Sequence, residues 1–474
     1  KKLKKLAEQY MSESRNRVEP PKTRTEKDIY KVVKKFVALD TISINDDFID
    51  DLGIDSLDLT NVFTALDKYN LAIQDIYNNP NIKDLAKFID SNHSSSDIVP
   101  NLANLSSCKI LNQVRPFDLS TVLLTGVTGF LGIHLLRDLL LNDSVKKIDC
   151  IIRNKINANG KKRLDKMIEY YFDSDPTLLK LINQKVTIFN GDVTKENLGL
   201  DQKNYDFLKG EVTTVINSAA NVRHFAKPDQ IRKDNVKSVW YLIDFCGSSI
   251  SLAHISTLSI AGFKGPRTKD VVFDENTLYF DQEFESNPYL VSKFEAEKAV
   301  LYATNYKRLN ASIFRIGNIM PRYEDGLFQQ NASQNVFLLA MKSILDCKMI
   351  PKEFYNTSLE FSPVDECSKM IISLIAKNSP RTVFHILNNN EISIFELTTL
   401  LNGLGCGIVE TDFDTFKNNL INYTDEYTKE YLLGQNLNSY SQDFTLRDLA
   451  DLDLAWHKTD AAYLQKVLDV IKSL

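Results

Sequence analysis

Between Thr25 and Ser91 the apolar positions recur with helical spacing. Ile29, Val32, Val33, Phe36 and Val37 fall on one face of a first helix. After a polar, Asp-rich loop, Leu59, Val62, Phe63 and Leu66 repeat at i, i+3, i+4 and i+7, which predicts a second amphipathic helix beginning at Ser56. A short helix is expected near Asp75–Asn78. After Pro80-Asn81, the positions Ile82, Leu85, Ala86 and Ile89 give a last one. Residues 25–91 therefore read as a small four-helix bundle.

From Thr121 the texture changes. Short apolar runs (TVLLTG, KIDCIIR, KVTIFNGD, TTVINSAA, LAHISTLS, ASIFRIG) read as strands, with helical patterns such as VKSVWYLIDFC and PYLVSKFEAEKAVLYA between them. Strands separated by helices predict a parallel sheet covered on both faces, an α/β architecture. Beyond Met320 the alternation weakens into helices and short strands, which reads as a smaller mixed α/β lobe over 320–474, on the substrate side of a sheet domain at 118–319.

Two connecting stretches separate these parts. Residues 1–24 read as a linker, broken by Glu19-Pro20-Pro21 and lacking the apolar core of a signal peptide. Residues 92–117, Ser/Asn-rich with Pro100 and Pro116, read as an interdomain linker. No initiator Met is present, so the chain is expected to be a piece of something longer.

Charge sharpens the division. The chain carries 57 basic and 62 acidic residues, a net charge of −5, which argues against a generally basic nucleic-acid binder. Residues 1–25 nevertheless carry a balance of +5 and residues 26–91 a balance of −6, and residues 41–60 hold six Asp with no Lys or Arg. Such asymmetry predicts distinct modules and a protein-facing surface. No apolar run is long enough to span a membrane. The six cysteines (108, 150, 246, 347, 367, 406) form no metal-binding spacing, so free thiols in a reducing cytoplasm, and no metal, are expected.

The first strand of the sheet domain runs into Thr125-Gly126-Val127-Thr128-Gly129-Phe130-Leu131-Gly132, which opens a helix. Glycines in a strand–turn–helix let backbone N–H groups approach a pyrophosphate at the helix N-terminus, so a dinucleotide is expected at Gly126, Thr128, Gly129, Phe130, Leu131 and Gly132. The next strand ends in Arg153, where an acidic residue would bind a ribose 2′-hydroxyl. An Arg there favours the 2′-phosphate of NADPH, and Arg163 adds to that charge. Asp192 and Val193 end a third strand, where the adenine should lie, and Ser218 and Ala219 end a fourth, small enough for the nicotinamide half to lie against the backbone. Together these features predict a Rossmann-type, doubly wound parallel sheet.

Tyr289 and Lys293 form a Tyr-x-x-x-Lys pair at the start of a helix, on one face by their i, i+4 spacing. A phenol alone is a poor acid at neutral pH. A nearby ammonium lowers its pKa and can hold ribose hydroxyls. Ser256-Thr257 ends the preceding strand and offers a hydroxyl to a substrate carbonyl. The region 121–474 resembles an extended short-chain dehydrogenase/reductase of the thioester reductase branch, through TGVTGFLG, CIIR, GDV, NSAANV, NVKSVWYLI, ISTLS, NPYLVSKFEAEKAV, RIGNI and FSPVDECSKMI. The resemblance implies Thr257, Tyr289 and Lys293 as the catalytic group and NADPH as the cofactor. Met320-Pro321 departs from the small residue many relatives carry after RIGNI, which bears on the substrate pocket.

Leu52-Gly53-Ile54-Asp55-Ser56-Leu57 resembles the phosphopantetheine attachment motif of carrier proteins, which implies a covalent 4′-phosphopantetheine on Ser56. Asp-Ser before a helix is also an ordinary N-cap. A carrier fused to a thioester reductase resembles the terminus of a nonribosomal peptide synthetase. The function so implied is NADPH-dependent reductive release of an acyl or peptidyl thioester, as an aldehyde or, with a second hydride, as a primary alcohol. The partners implied are upstream adenylation and condensation domains and a phosphopantetheinyl transferase. Three rival readings are a carboxylic acid or aminoadipate reductase, a nucleotide-sugar epimerase or dehydratase, and a non-catalytic NADP-binding docking module.

Overall fold

The computed structural model describes residues 18–37, 39, 41–54, 58, 59, 62, 65, 66, 69, 79–94, 108–154, 159–222, 228–262, 272–280, 282–284, 287–424, 426–433 and 439–474. The chain divides into two compact units, Lys1–Asn101 and Leu102–Leu474.

In the first unit, helix α1 (Arg24–Val33) begins at Thr23, which forms a reciprocal capping box with Glu26, just after the Pro20-Pro21 break. It buries Ile29 and Val33 against Ile82, Leu85, Ala86 and Ile89 of α2 (Ile82–Ser94) and against Leu59, Val62 and Leu66. Those are the positions expected from the spacing. The Asp-rich loop adds Ile42, Ile44, Phe48, Leu52 and Ile54 to the same core. Its carboxylates fold it locally: Asp47 accepts the N–H groups of Ile49 (2.8 Å) and Asp50 (3.0 Å). Ser56 and the helix expected near Asp75–Asn78 lie outside the described residues.

The second unit is built on β1 (Thr121–Thr125), α3 (Phe130–Leu140), β2 (Lys147–Ile152), α4 (Gly160–Phe172), β3 (Val186–Asn190), β4 (Thr214–Asn217), β5 (Ser251–Thr257), α5 (Pro288–Tyr306), β6 (Ala311–Ile316), α6 (Val364–Ala376) and β7 (Val383–Ile386). The strands make one seven-stranded parallel sheet in the order β7-β6-β5-β4-β1-β2-β3. The order reverses at β1, so β1 and β4 diverge from one crevice at their C-terminal ends, where such sheets bind ligands. Strands β1, β4 and β6 are buried almost throughout, as a sheet covered on both faces requires.

Two features differ from the sequence reading. Strand β7 and helix α6 return from the region read as the smaller lobe to complete the main sheet. The strand is only four residues, and a histidine, His385, interrupts its apolar run, so its period is weak. Second, residues 108–117 of the stretch read as a linker lie hydrogen-bonded along the N-terminal edge of this unit. Asn305 brackets the backbone of Lys109 (3.4 and 2.9 Å) and Asn310 that of Arg115 (2.8 and 3.1 Å). Asn112 exchanges bonds with Thr382 (3.2 and 3.1 Å). Amide side chains supply both donor and acceptor, as a neighbouring strand would. Composition alone reads such a polar segment as free loop.

Candidate active site

Every candidate of the sheet domain follows the C-terminal end of a strand or opens the next helix, so the topology gathers them along one edge. Register sets their neighbours: Thr125 lies opposite both Ile151 and Asn217, Asn217 opposite His254, and Thr257 opposite Ile316.

The Gly-rich turn is a close-packed joint. Gly126 has a φ of +74°, and a Cβ there would come within 2.6 Å of the Ser218–Ala219 backbone. A Cβ on Gly132 would meet the Gly126 carbonyl oxygen at 2.1 Å. That carbonyl accepts the Gly129 N–H at 2.8 Å. Both glycines are thus required for the turn from β1 to lie against the turn from β4. Ser218 fastens the two by donating its hydroxyl to the Thr125 carbonyl (2.7 Å). Gly129 caps α3 without a side chain, and no acidic residue stands in the first turn. The first N–H groups of α3 therefore keep their capacity for an anion.

Arg163, on the first turn of α4, donates to the Thr128 hydroxyl (2.9 Å) and to the Arg153 carbonyl (2.7 Å). Burial and the neighbouring Arg153 charge both lower its pKa. Arg153 stays 65% exposed, with Asp192 at 3.9 Å. Asp192 is turned to its own loop, accepting the N–H and hydroxyl of Thr194 (3.0 and 2.8 Å). Two guanidiniums beside an uncapped helix N-terminus form a donor set suited to phosphate, so these residues fit a phosphorylated dinucleotide. Val193 is half-buried in the same loop. Phe130 and Leu131 turn away from the edge. Leu131 joins the core, and the Phe130 ring meets His134, Tyr171 and Phe328 at 5.3, 5.7 and 5.1 Å. Only their backbone faces the turn.

Helix α5 starts where Asn287 accepts the N–H groups of Tyr289 (3.1 Å) and Leu290 (3.3 Å), with Pro288 as first residue. This cap fixes where Tyr289 leaves the helix. Burial pushes its phenol up to about 12, opposed by the neighbouring Thr257 hydroxyl. Thr257 also accepts the Ser259 N–H (3.1 Å), while the Ser256 hydroxyl is buried with no partner among the described residues. Lys293 is buried and donates to the Ile255 carbonyl at 2.8 Å. Burial brings its ammonium down to about 8, opposed by the charge of Glu297. The structure thus sets Tyr289 beside Thr257, and turns the Lys293 ammonium to the backbone of β5 rather than using it to lower the phenol.

Three residues beside the site carried no assigned role in the sequence. Asn235 sits in a π-helical turn, Lys233–Lys237. It donates to the Ser292 hydroxyl and to the Asn221 carbonyl, both at 2.9 Å, and accepts the Asn221 N–H at 2.7 Å. Ser292 in turn donates to the Tyr289 carbonyl (2.8 Å). The loop after β4 is thereby tied to the first turn of α5. The signal was an Asn within an otherwise apolar helix, in NVKSVWYLI.

A parallel sheet with an uncapped glycine turn at its switch point and a Tyr-x-x-x-Lys helix beside it defines a dinucleotide-binding reductase. The chain belongs to the family described as male sterility protein, whose sequence profile matches residues 124–371. A second profile, phosphopantetheine attachment site, matches residues 27–89. The chain is 30% identical to a thiolation-reductase di-domain from an archaeal non-ribosomal peptide synthetase, covering 97% of this chain and 99% of that one with a TM-score of 0.68. It is 25% identical to probable polyketide synthase 39 of Dictyostelium discoideum over 72% of this chain, which is 12% of that protein's length. It is also 28% identical to adenylate-forming reductase Nps9 of Serpula lacrymans var. lacrymans (strain S7.9), over 58% of this chain and 24% of that protein. The chain thus spans a small part of the curated relatives it matches. It carries an NAD-binding reductase domain and a phosphopantetheine attachment domain. Among the described residues no helix is long and apolar enough to cross a membrane.

Proposed function

We propose that the chain reductively releases an acyl or peptidyl thioester carried on its own first unit. The observation that carries this reading is the placing of Thr257 at the end of β5 and Tyr289 at the start of α5, at the same sheet edge as a phosphate-suited glycine turn, in a chain that also has a carrier. Phosphopantetheine on Ser56 presents the acyl group as a thioester, and NADPH supplies hydride to its carbonyl carbon. NADPH rather than NADH is favoured by the Arg153–Arg163 pair.

The residues of the chain do the rest. Thr257 and Tyr289 donate to the carbonyl oxygen and favour the negative charge that develops there. The Tyr289 phenol, kept protonated through the neutral range, gives its proton to that oxygen. Lys293, still mostly charged at neutral pH, adds positive potential beneath the site. The hydroxyl so formed then gives up its proton as the carbon–sulfur bond breaks, leaving an aldehyde and, with the proton on sulfur, a free thiol. A second round gives a primary alcohol.

The identity with a synthetase di-domain favours a place at the end of a peptide assembly line, after adenylation and condensation domains. The identity with an adenylate-forming reductase favours a second reading, in which one adenylated acid is loaded and reduced without condensation. Free thiols at all six cysteines fit a reducing cytoplasm. The acidic carrier suits recognition by a basic phosphopantetheinyl transferase. Incubation with coenzyme A and a promiscuous transferase should add one phosphopantetheine, and Ser56→Ala should abolish the addition in an intact-mass spectrum. Undiminished loading of Ser56→Ala would refute the attachment point.

A further inference from the structure

Beneath the candidate site lies a buried charge pair that the reduction as described does not use. Arg315, on β6, and Glu297, on α5, both have fully buried side chains. Arg315 Nε donates to Glu297 Oε1 and Oε2 at 3.2 and 3.1 Å, and Nη2 donates to Oε2 at 2.9 Å. Its remaining nitrogen, Nη1, donates to the carbonyls of Thr277 (2.8 Å) and Asp274 (3.4 Å) and lies 3.2 Å from His385 Nε2. The guanidinium also stands over the Phe273 ring at 4.6 Å. His385 donates from Nδ1 to the Ser441 carbonyl (2.8 Å), so in its neutral form Nε2 is an acceptor for Arg315. Each nitrogen of the guanidinium fork is thus directed to an acceptor.

Glu297 is four residues after Lys293 on the same helix, so the two side chains stand one turn apart on one face. A buried pair of this kind adds little net stability over an apolar replacement. What it does provide is a carboxylate held in place by three contacts, one helical turn from a buried ammonium. The other titratable groups around Lys293 do not supply that charge. His254, on β5, is neutral, held well below its usual pKa by burial and by Lys293 itself. His385, on β7, is likewise neutral. Arg315 is positive, and Tyr289 is protonated. Glu297 is the group whose charge supports the ammonium.

We propose that Glu297 is a positioning residue for the reduction: locked by Arg315, its carboxylate keeps Lys293 charged and so sets the alkaline limit of activity. The inference rests on the reading of Tyr289 and Lys293 given above. Losing a nearby opposite charge shifts the pKa of a buried group by about one unit or more.

The test is the pH profile of thioester-dependent NADPH oxidation by the loaded chain, with circular dichroism as a check on folding. The parent should lose activity above an alkaline limb near pH 8. Glu297→Asp, which keeps the charge, should keep that limb, whereas Glu297→Gln should move it down by about one pH unit. A purely structural role would lower the rate at every pH and leave the limb in place, and that result in folded Glu297→Gln overturns the proposal. Because Glu297→Gln leaves Arg315 buried and unpaired, the double variant Glu297→Gln/Arg315→Met is measured beside it. It should also show a lowered limb, and an unmoved one again overturns the proposal. Tyr289→Phe in the same assay separates the two levels. Retained turnover there defeats the catalytic reading, whereas an inactive Tyr289→Phe beside an unmoved Glu297→Gln defeats the role of Glu297 alone.

Discussion

The reductase unit holds two sets of guanidinium groups, and their surroundings are opposite. Arg315 has no exposed surface and meets one carboxylate through three contacts, two carbonyls and a neutral imidazole nitrogen. Arg163 gives its nitrogens to a hydroxyl and a carbonyl, neither charged, beside an Arg153 that is largely exposed. A buried cation without a counter-charge is costly, so Arg315 is matched in place by the fold. Cations at the open edge are left with binding capacity, which is what a site for a phosphorylated ligand requires. The same residue type thus marks the foundation of the site in one place and its recognition surface in the other.

Removing each tests that contrast. Arg315→Ala leaves Glu297 buried and unpaired, and should destabilise the unit by about 3–5 kcal/mol, read as a lowered urea midpoint. A loss within about 0.5 kcal/mol, as at an ordinary surface position, would break the comparison from the buried side. Arg163→Ala should leave the urea midpoint nearly unchanged. It should raise the KM for NADPH about tenfold, roughly 1.4 kcal/mol, and that for NADH far less. Equal effects on the two cofactors would show that Arg163 does not face a 2′-phosphate.

The contrast also explains what could be read from the chain. The strands, the glycine turn and the Tyr-x-x-x-Lys helix are each written in a contiguous segment, through period, glycine spacing and one helical turn, and the fold places all of them as expected. Glu297 and Arg315 are eighteen residues apart on a helix and a strand, and nothing local marks either as the partner of the other. Asn235 is equally silent until the loop after β4 folds over it. Phe130 is legible only in its backbone. It belongs to the dinucleotide turn by sequence, but its ring fills an aromatic cluster with His134 and Phe328. For Lys293, the spacing places the ammonium on the face of Tyr289. Only the fold turns it to the Ile255 carbonyl and sets the phenol beside Thr257.

In the proposed reaction this edge reduces the thioester borne by the carrier, with Tyr289 as the proton donor. The most direct measurement is a single-turnover reaction of the acyl-loaded chain with NADPH, using a panel of acyl-coenzyme A donors and a promiscuous transferase for loading. The released product is identified by mass and NADPH consumption is followed in parallel. The account predicts an aldehyde or alcohol with matching NADPH loss, slowed about 10²-fold or more in Tyr289→Phe. Release of the free acid without NADPH loss, or an unslowed Tyr289→Phe, would contradict it.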